Sequence, residues 1–268
     1  MVTIQTNIER LNRLILSLWR KNWRGIQRDE EEPLPAFFKT PSSEVKLLFI
    51  GINPALNKDD YRKILKKELK ENPNLQKVYE EGFRSFITRS RTKVYNLHEL
   101  ISELELVEHI IGKHHNYEKR PKEIARYLGI DPGRELYMTD LFFIRKTNQA
   151  EFLKTYVYRN GKNINEGLTT FALRQLKILS ILIKIINPKM IIICNAEAAR
   201  LFKKYVIPMV SPKINYFCNE FGTYIINING RNVPIFYSSM LSGQRALDSF
   251  SFERLKWHMK TVMNKIIE

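Results

Sequence analysis

Asn53 is the side chain in this sequence best placed to do chemistry. It lies in Phe49-Ile50-Gly51-Ile52-Asn53-Pro54-Ala55, where a short apolar run, Val45 to Ile50, ends in glycine. A run of this kind reads as a buried strand. Gly51 lets the backbone turn closely, and Pro54 stiffens the next turn without offering an N–H. Asn53 is thereby held at the carboxyl end of the strand. Its amide can accept hydrogen bonds through the oxygen and donate them through the nitrogen. An amide is a poor proton acceptor, so it suits positioning a partner rather than general-base work. A strand-ending turn without any chemistry has the same composition, because Gly, Asn and Pro are all common turn residues.

Two further segments put polar residues just after apolar runs. Tyr137-Met138-Thr139-Asp140-Leu141 is followed by Arg145 and Thr147. Ser238-Ser239-Met240-Leu241-Ser242-Gly243-Gln244-Arg245 follows the run Val233 to Tyr237 and precedes a helix from Phe252. No phosphate-binding glycine loop, no dinucleotide fingerprint, no His-Glu-x-x-His and no Gly-x-Ser-x-Gly occurs. The five histidines, His114 and His115 among them, show no metal-ligand spacing. Cys194 and Cys218 alone make neither a zinc site nor a disulfide framework. The expectation is a protein without metal or cofactor.

Taken in chain order, these segments resemble the active-site motifs of the uracil-DNA glycosylase superfamily, and within it the mismatch-specific uracil and thymine-DNA glycosylase branch. Gly51-Ile52-Asn53-Pro54-Ala55 is similar to the first motif. Tyr137 to Leu141, with Arg145 and Thr147, is similar to the second strand and the loop after it. Asn187-Pro188-Lys189-Met190-Ile191-Ile192-Ile193, then Ala196 to Phe202, resembles the intervening helix–strand–helix. Ser238 to Arg245 resembles the loop that enters the DNA. The resemblance runs from Val45 to Met263 and leaves the N-terminal helix outside.

The resemblance implies a monofunctional DNA glycosylase that extrudes one damaged, mismatched or modified pyrimidine. It hydrolyses the N-glycosidic bond with a water held by Asn53 and leaves an abasic site. Such a bond breaks with positive charge growing on the sugar and negative charge on the departing base, so donors and a dry pocket are required. The resemblance puts base contacts in the backbone at Gly51, Ile52 and Pro54, and calls for an aromatic stack. Tyr61 is the candidate for that stack, and it equally suits an ordinary helix position. Relatives often carry Asn where this chain has Asp140. A carboxylate only accepts hydrogen bonds, which suits a base presenting an amino group, as cytosine does. The alternative target is therefore a modified cytosine such as occurs in phage DNA, which would make the protein a defence factor. Asp140 could instead cap a helix or pair with Arg145. The last loop has Ser238-Ser239-Met240 where relatives show His-Pro-Ser or Asn-Pro-Ser. A weakly catalytic DNA-binding member of the fold is the other alternative. Leu241 and Arg245 suit filling the gap left by an extruded nucleotide, and Ser239, Ser242, Gly243 and Arg145 suit contacts to the DNA backbone. A plain loop capping the last helix fits the same residues.

The elements that must position these residues follow from periodicity. From Ile4 to Trp23 apolar residues recur at helical spacing (Ile8, Leu11, Leu14, Ile15, Leu18), giving an amphipathic helix and, to residue 44, a connector. Apolar runs at Val45 to Ile50, Glu135 to Phe143, Met190 to Cys194 and Val233 to Tyr237 alternate with helical stretches at Phe171 to Ile186 and Ala196 to Val206. This predicts a three-layer α/β/α sandwich over residues 45–268, with a mostly parallel sheet of about four strands, plus the N-terminal helical extension. Asn229-Gly230 between two apolar runs predicts a hairpin and one antiparallel edge. Residues 98–134 read as an insertion.

Of the 268 residues, 44 are Lys or Arg and 28 Asp or Glu, a formal net charge of +16. That excess favours an anionic partner, DNA first, with binding that weakens steeply in salt. The basic residues following the first motif (Lys58, Arg62, Lys63, Lys66, Lys67) and Arg84, Arg89, Arg91 and Lys93 suit phosphates, or simply a solvated face. No run reaches the roughly 20 apolar residues of a membrane span, and no secretory h-region opens the chain. The expectation is an intracellular, cytoplasmic monomer associated with DNA.

Overall fold

The computed structural model describes residues 3–26, 35–42, 44–54, 63, 66–73, 116–146, 148–212, 215–242 and 246–267. The described part is a mixed α/β sandwich around one sheet. Strand β1 (Leu47–Gly51) is buried at all five positions, a pattern that requires cover on both faces. Beside it lie β2 (Leu136–Asp140) on one side and β3 (Met190–Cys194) on the other, both parallel to it. Strand β6 (Arg231–Ser238) continues the parallel set next to β3. Beyond it β5 (Thr223–Ile228) and β4 (Asn215–Cys218) run antiparallel, so the sheet has the order β2-β1-β3-β6-β5-β4.

The expected hairpin is present. Asn229 and Gly230 both have positive φ, 51° and 88°, the paired left-handed conformation of a type I′ turn. Strand β4 adds an element that periodicity did not reveal. Its four residues alternate weakly, and both Tyr216 and Phe217 are exposed.

Two apolar layers sandwich the sheet. On one face Leu48, Ile50, Ile191, Ile193, Val233 and Ile235 pack with α1 (Ile4–Ile26) and α4 (Thr170–Ile186). The same layer holds the helical run from α5 (Ala196–Leu201) through a π turn at Phe202–Val206 into α6 (Ile207–Val210). On the other face Leu47, Phe49, Met190, Ile192 and Phe236 pack with α2 (Lys119–Tyr127) and α7 (Ser249–Ile267). Lys256 of α7 is 6% exposed and bridges Glu123 of α2 at 2.7 Å and Glu253 at 2.6 Å, tying the second layer together.

Helix α1 is built into the first layer rather than appended to it. Ile8, Leu11, Ile15, Leu18 and Trp19 are buried in the same core as β1, whereas Leu14 of the expected stripe is 43% exposed. Asn12 fixes the chain that follows: its Nδ2 donates to the Phe38 carbonyl and its Oδ1 accepts from the Phe38 N–H, both at 2.9 Å. A buried amide satisfied on both sides specifies register as well as adding stability. Residues 116–134 of the segment read as an insertion also belong to the sandwich, as α2 and the turn leading into β2.

Candidate functional site

The chain leaves β1 toward β2, returns past β1 to β3, and then moves outward to β6. Connections that diverge in this way open a crevice at the carboxyl ends of the central strands, where parallel α/β sheets bind ligands. The register decides which side chains stand there. Asp140 lies beside Gly51, and Cys194 beside Ser238. Side chains alternate along a strand, so these four positions share the face of Phe49, Ile192 and Phe236. They form a row across the carboxyl edge beneath α2 and α7.

Gly51 is the gap in that row. A Cβ built on it would collide with the Asp140 carboxylate and stand 2.8 Å from the Tyr117 hydroxyl. The glycine is required here for close approach rather than for an unusual φ. Tyr117 comes from the 3-10 turn Asn116–Glu118, just ahead of α2, and its ring meets Phe49 edge-on at 6.0 Å between centroids. The residue keeps 43% of its surface in solvent, yet its hydroxyl end is enclosed. Burial first, and then the charge of Asp140, push its pKa well above the usual phenol value, so it is a neutral O–H.

The rest of the row is uncharged. Burial pushes the Cys194 thiol up, which leaves it protonated and a poor nucleophile. The Ser238 Oγ is buried with no hydrogen-bond partner among the described residues. A buried hydroxyl without a partner is uncommon.

Asn53 lies past the end of β1, where the exits of β1 and β2 run together. The N–H groups of Leu141, Phe142 and Lys146 donate to the carbonyls of Gly51, Ile52 and Pro54, each at 3.1 Å. The Asn53 Nδ2 donates to the carbonyls of Lys146 at 2.7 Å, Ile144 at 3.3 Å and Pro54 at 3.3 Å. Three carbonyl acceptors fix which end of the amide is nitrogen. The Oδ1 therefore faces the other way, and it accepts no hydrogen bond among the described residues. The side chain is half-buried.

Several sequence expectations take a specific form here. Ile52 buries its side chain in the first core layer, so only its backbone is near the edge. Of the backbone expected to contact a base, the carbonyls of Gly51, Ile52 and Pro54 accept from N–H groups of the β2 exit. Arg145 is partly buried between two of the carbonyls that hold Asn53. The Asp140 carboxylate leans over Gly51. Tyr61, Gly243 and Arg245 lie outside the described residues, as do Ala55, Lys58, Arg62, Arg84, Arg89, Arg91, Lys93 and Thr147.

The loop after β6 needs one correction. Leu241, expected as a wedge into DNA, is 4% exposed and packs in the second core layer with Phe252 and Met259. The loop folds back so that Leu247 N–H donates to the Met240 carbonyl at 2.9 Å, and this closure turns Leu241 inward. Arg120 holds it down, donating to the Leu247 carbonyl at 2.7 Å with its guanidinium over the Phe252 ring. Ser239 is exposed and Ser242 partly buried. The exposed apolar side chains of this region are Met240 at 36% and Phe250 at 81%.

Three residues at this edge escaped the sequence reading. Tyr117 lay in a stretch without periodicity. Lys146 looks like any basic residue, yet its side chain is buried against Glu151 at 2.7 Å. Asn195 follows β3 at φ 105°, an unusual value for a non-glycine residue. It caps α5 through the N–H groups of Glu197 and Ala198, and its Nδ2 donates to Gln149. Asn after a buried strand and before a helical run is a cap signal that could have been read.

Among the described residues no group of three His, Cys, Asp or Glu is placed to hold a metal ion. No helix among them is long and apolar enough to cross a membrane. Comparison with protein-family models and with curated proteins finds no match to this chain. The fold is an α/β sandwich with a polar, partly enclosed edge at the carboxyl ends of its central parallel strands.

Proposed function

We propose that the chain is a DNA glycosylase that hydrolyses the N-glycosidic bond of an extruded pyrimidine nucleotide and leaves an abasic site. The observation that carries this reading is the Asn53 amide, clamped through its nitrogen by three carbonyls and presenting, beside the carboxyl edge, an oxygen that accepts no hydrogen bond among the described residues. A water held by that oxygen is oriented without being ionised. As the bond from the sugar C1′ to the base nitrogen lengthens, the water oxygen adds to C1′. Its surplus proton leaves to solvent or to the departing base. The gain is in positioning and in exclusion of bulk water. The Ser238 hydroxyl, buried and without a hydrogen-bond partner among the described residues, is a donor available to the charge growing on the base. The excess of 16 positive charges suits a polyanionic substrate.

A second reading concerns the base. The Asp140 carboxylate over Gly51 accepts hydrogen bonds and donates none, which favours an exocyclic amino group over a carbonyl. A modified cytosine fits that edge better than uracil does.

The test is to incubate the protein with duplexes carrying uracil, a thymine mismatch or modified cytosines, and to score abasic sites by alkaline cleavage. Base release by the wild type and loss of release in Asn53→Ala are expected. Tight DNA binding with no base released from any duplex would remove the enzymatic reading.

A further inference from the structure

Resting on the reading of this edge as a nucleobase site, we propose that Tyr117 fills the site of the empty protein as a stand-in for its ligand, and that the ligand's ring replaces the phenol when it binds. The phenol is a planar six-membered ring. It reaches over a residue that has no side chain, points its one polar atom into the gap beside the Asp140 carboxylate, and meets Phe49 edge-on. The three atoms nearest to a Cβ built on Gly51 are two of the Asp140 carboxylate and the Tyr117 hydroxyl. A group of that shape and polarity describes what the gap accepts: a flat six-membered ring with a hydrogen-bond donor on the edge facing Asp140. Cytosine and its 5-substituted derivatives present such a donor through N4.

Displacement needs only a side-chain movement. Tyr117 already holds 43% of its surface in solvent, so an outward swing of its ring starts from a partly exposed position and gives up the edge-on contact with Phe49. The Tyr117 hydroxyl makes no hydrogen bond to a described residue. A ligand must then compete with the tethered phenol, and its apparent affinity falls by the fraction of time the gap is filled. The device would favour bases that grip Asp140 strongly and reject rings that offer no donor.

The experiment measures binding of free cytosine, uracil and phenol to the full-length wild type, Tyr117→Ala and Tyr117→Phe by calorimetry. Circular dichroism confirms that each variant is folded. In Tyr117→Ala, cytosine is expected to bind on the order of tenfold more tightly than in the wild type. Phenol should also bind there, filling the vacated space, while uracil gains less than cytosine. Tyr117→Phe keeps the ring and should stay within about threefold of the wild type. Equal or weaker cytosine binding by folded Tyr117→Ala, or binding by neither protein, overturns the proposal. Base release is scored separately on the same proteins. Tighter cytosine binding without release from any duplex leaves this inference standing and removes the glycosylase. Release by a wild type whose Tyr117→Ala form gains no affinity does the reverse.

Discussion

The carboxylate of Asp140 occupies the space that a side chain on Gly51 would need. These two residues are register partners on neighbouring parallel strands, so the contact is set by the sheet and not by a flexible loop. Gly51→Ala must push the carboxylate and the Tyr117 hydroxyl aside. Overpacking of this kind destabilises by about 1–3 kcal/mol. Thermal unfolding should show that modest loss, while cytosine binding or base release should fall far more. A variant with wild-type binding would show that the gap is not the ligand site.

Asn53→Asp and Asn53→Ala should differ in a diagnostic order. Aspartate would set a carboxylate against the carbonyls of Lys146, Ile144 and Pro54, where the amide nitrogen now donates. Destabilisation of about 2–3 kcal/mol is expected, against about 1 kcal/mol for alanine, which removes the bonds without adding repulsion. Base release should drop on the order of 10²-fold in alanine, the scale of losing one positioning contact. Chemical denaturation and single-turnover kinetics separate the two effects. If aspartate proves as stable as the wild type, the amide is not oriented as described.

Leu241 packs in the second core layer, whereas Phe250 stands in solvent. Leu241→Ala empties part of the second core layer and should lower stability by about 2–4 kcal/mol. Phe250→Ala removes a side chain that is 81% exposed and should change stability by less than about 0.5 kcal/mol. If Phe250 meets DNA bases, its loss weakens binding by about 1–3 kcal/mol, the range for one stacked base. Unfolding curves and DNA titrations on both variants check the pair. A stable Leu241→Ala protein with impaired DNA binding would restore that leucine as the wedge.

Acid stability has a local contribution from the cap of α7. Asp248 accepts from the Ser251 hydroxyl and from the Ser251 N–H, and these bonds, the hydroxyl first, hold its carboxyl below the usual range. A carboxyl depressed on folding stabilises above its unfolded pKa, about 3.9. It gives that stability up as pH falls through the lower folded value. Asp248→Asn keeps an acceptor that does not titrate. The wild type should melt higher than Asp248→Asn at pH 6, and the gap should close below about pH 4. A gap that stays constant down to pH 2 would mean that the charge of Asp248 adds nothing to the cap.

What the sequence determined by itself is whatever depends on neighbours along the chain. Apolar runs gave β1, β2, β3 and β6, and β1 and β3, buried at every position, show the pattern most fully because a strand covered on both faces needs apolar residues throughout. Asn229-Gly230 gave the hairpin, since two consecutive positive φ values are accessible to few residue pairs. Asn53 stood out as the amide at a strand exit, and Asp140 as a carboxylate at the next one. Tertiary structure decided everything that depends on register and on contacts across the sheet. Only the pairing of Gly51 with Asp140 shows why the glycine is needed, and only the carbonyls of Ile144 and Lys146, more than ninety residues along the chain, orient Asn53. Tyr117 carries no periodic signal, and it enters the site because the turn before α2 sets it above Phe49. Leu241 faces inward because its loop closes on Leu247. Those relations join distant segments, and a linear pattern holds no record of which distant segments will meet.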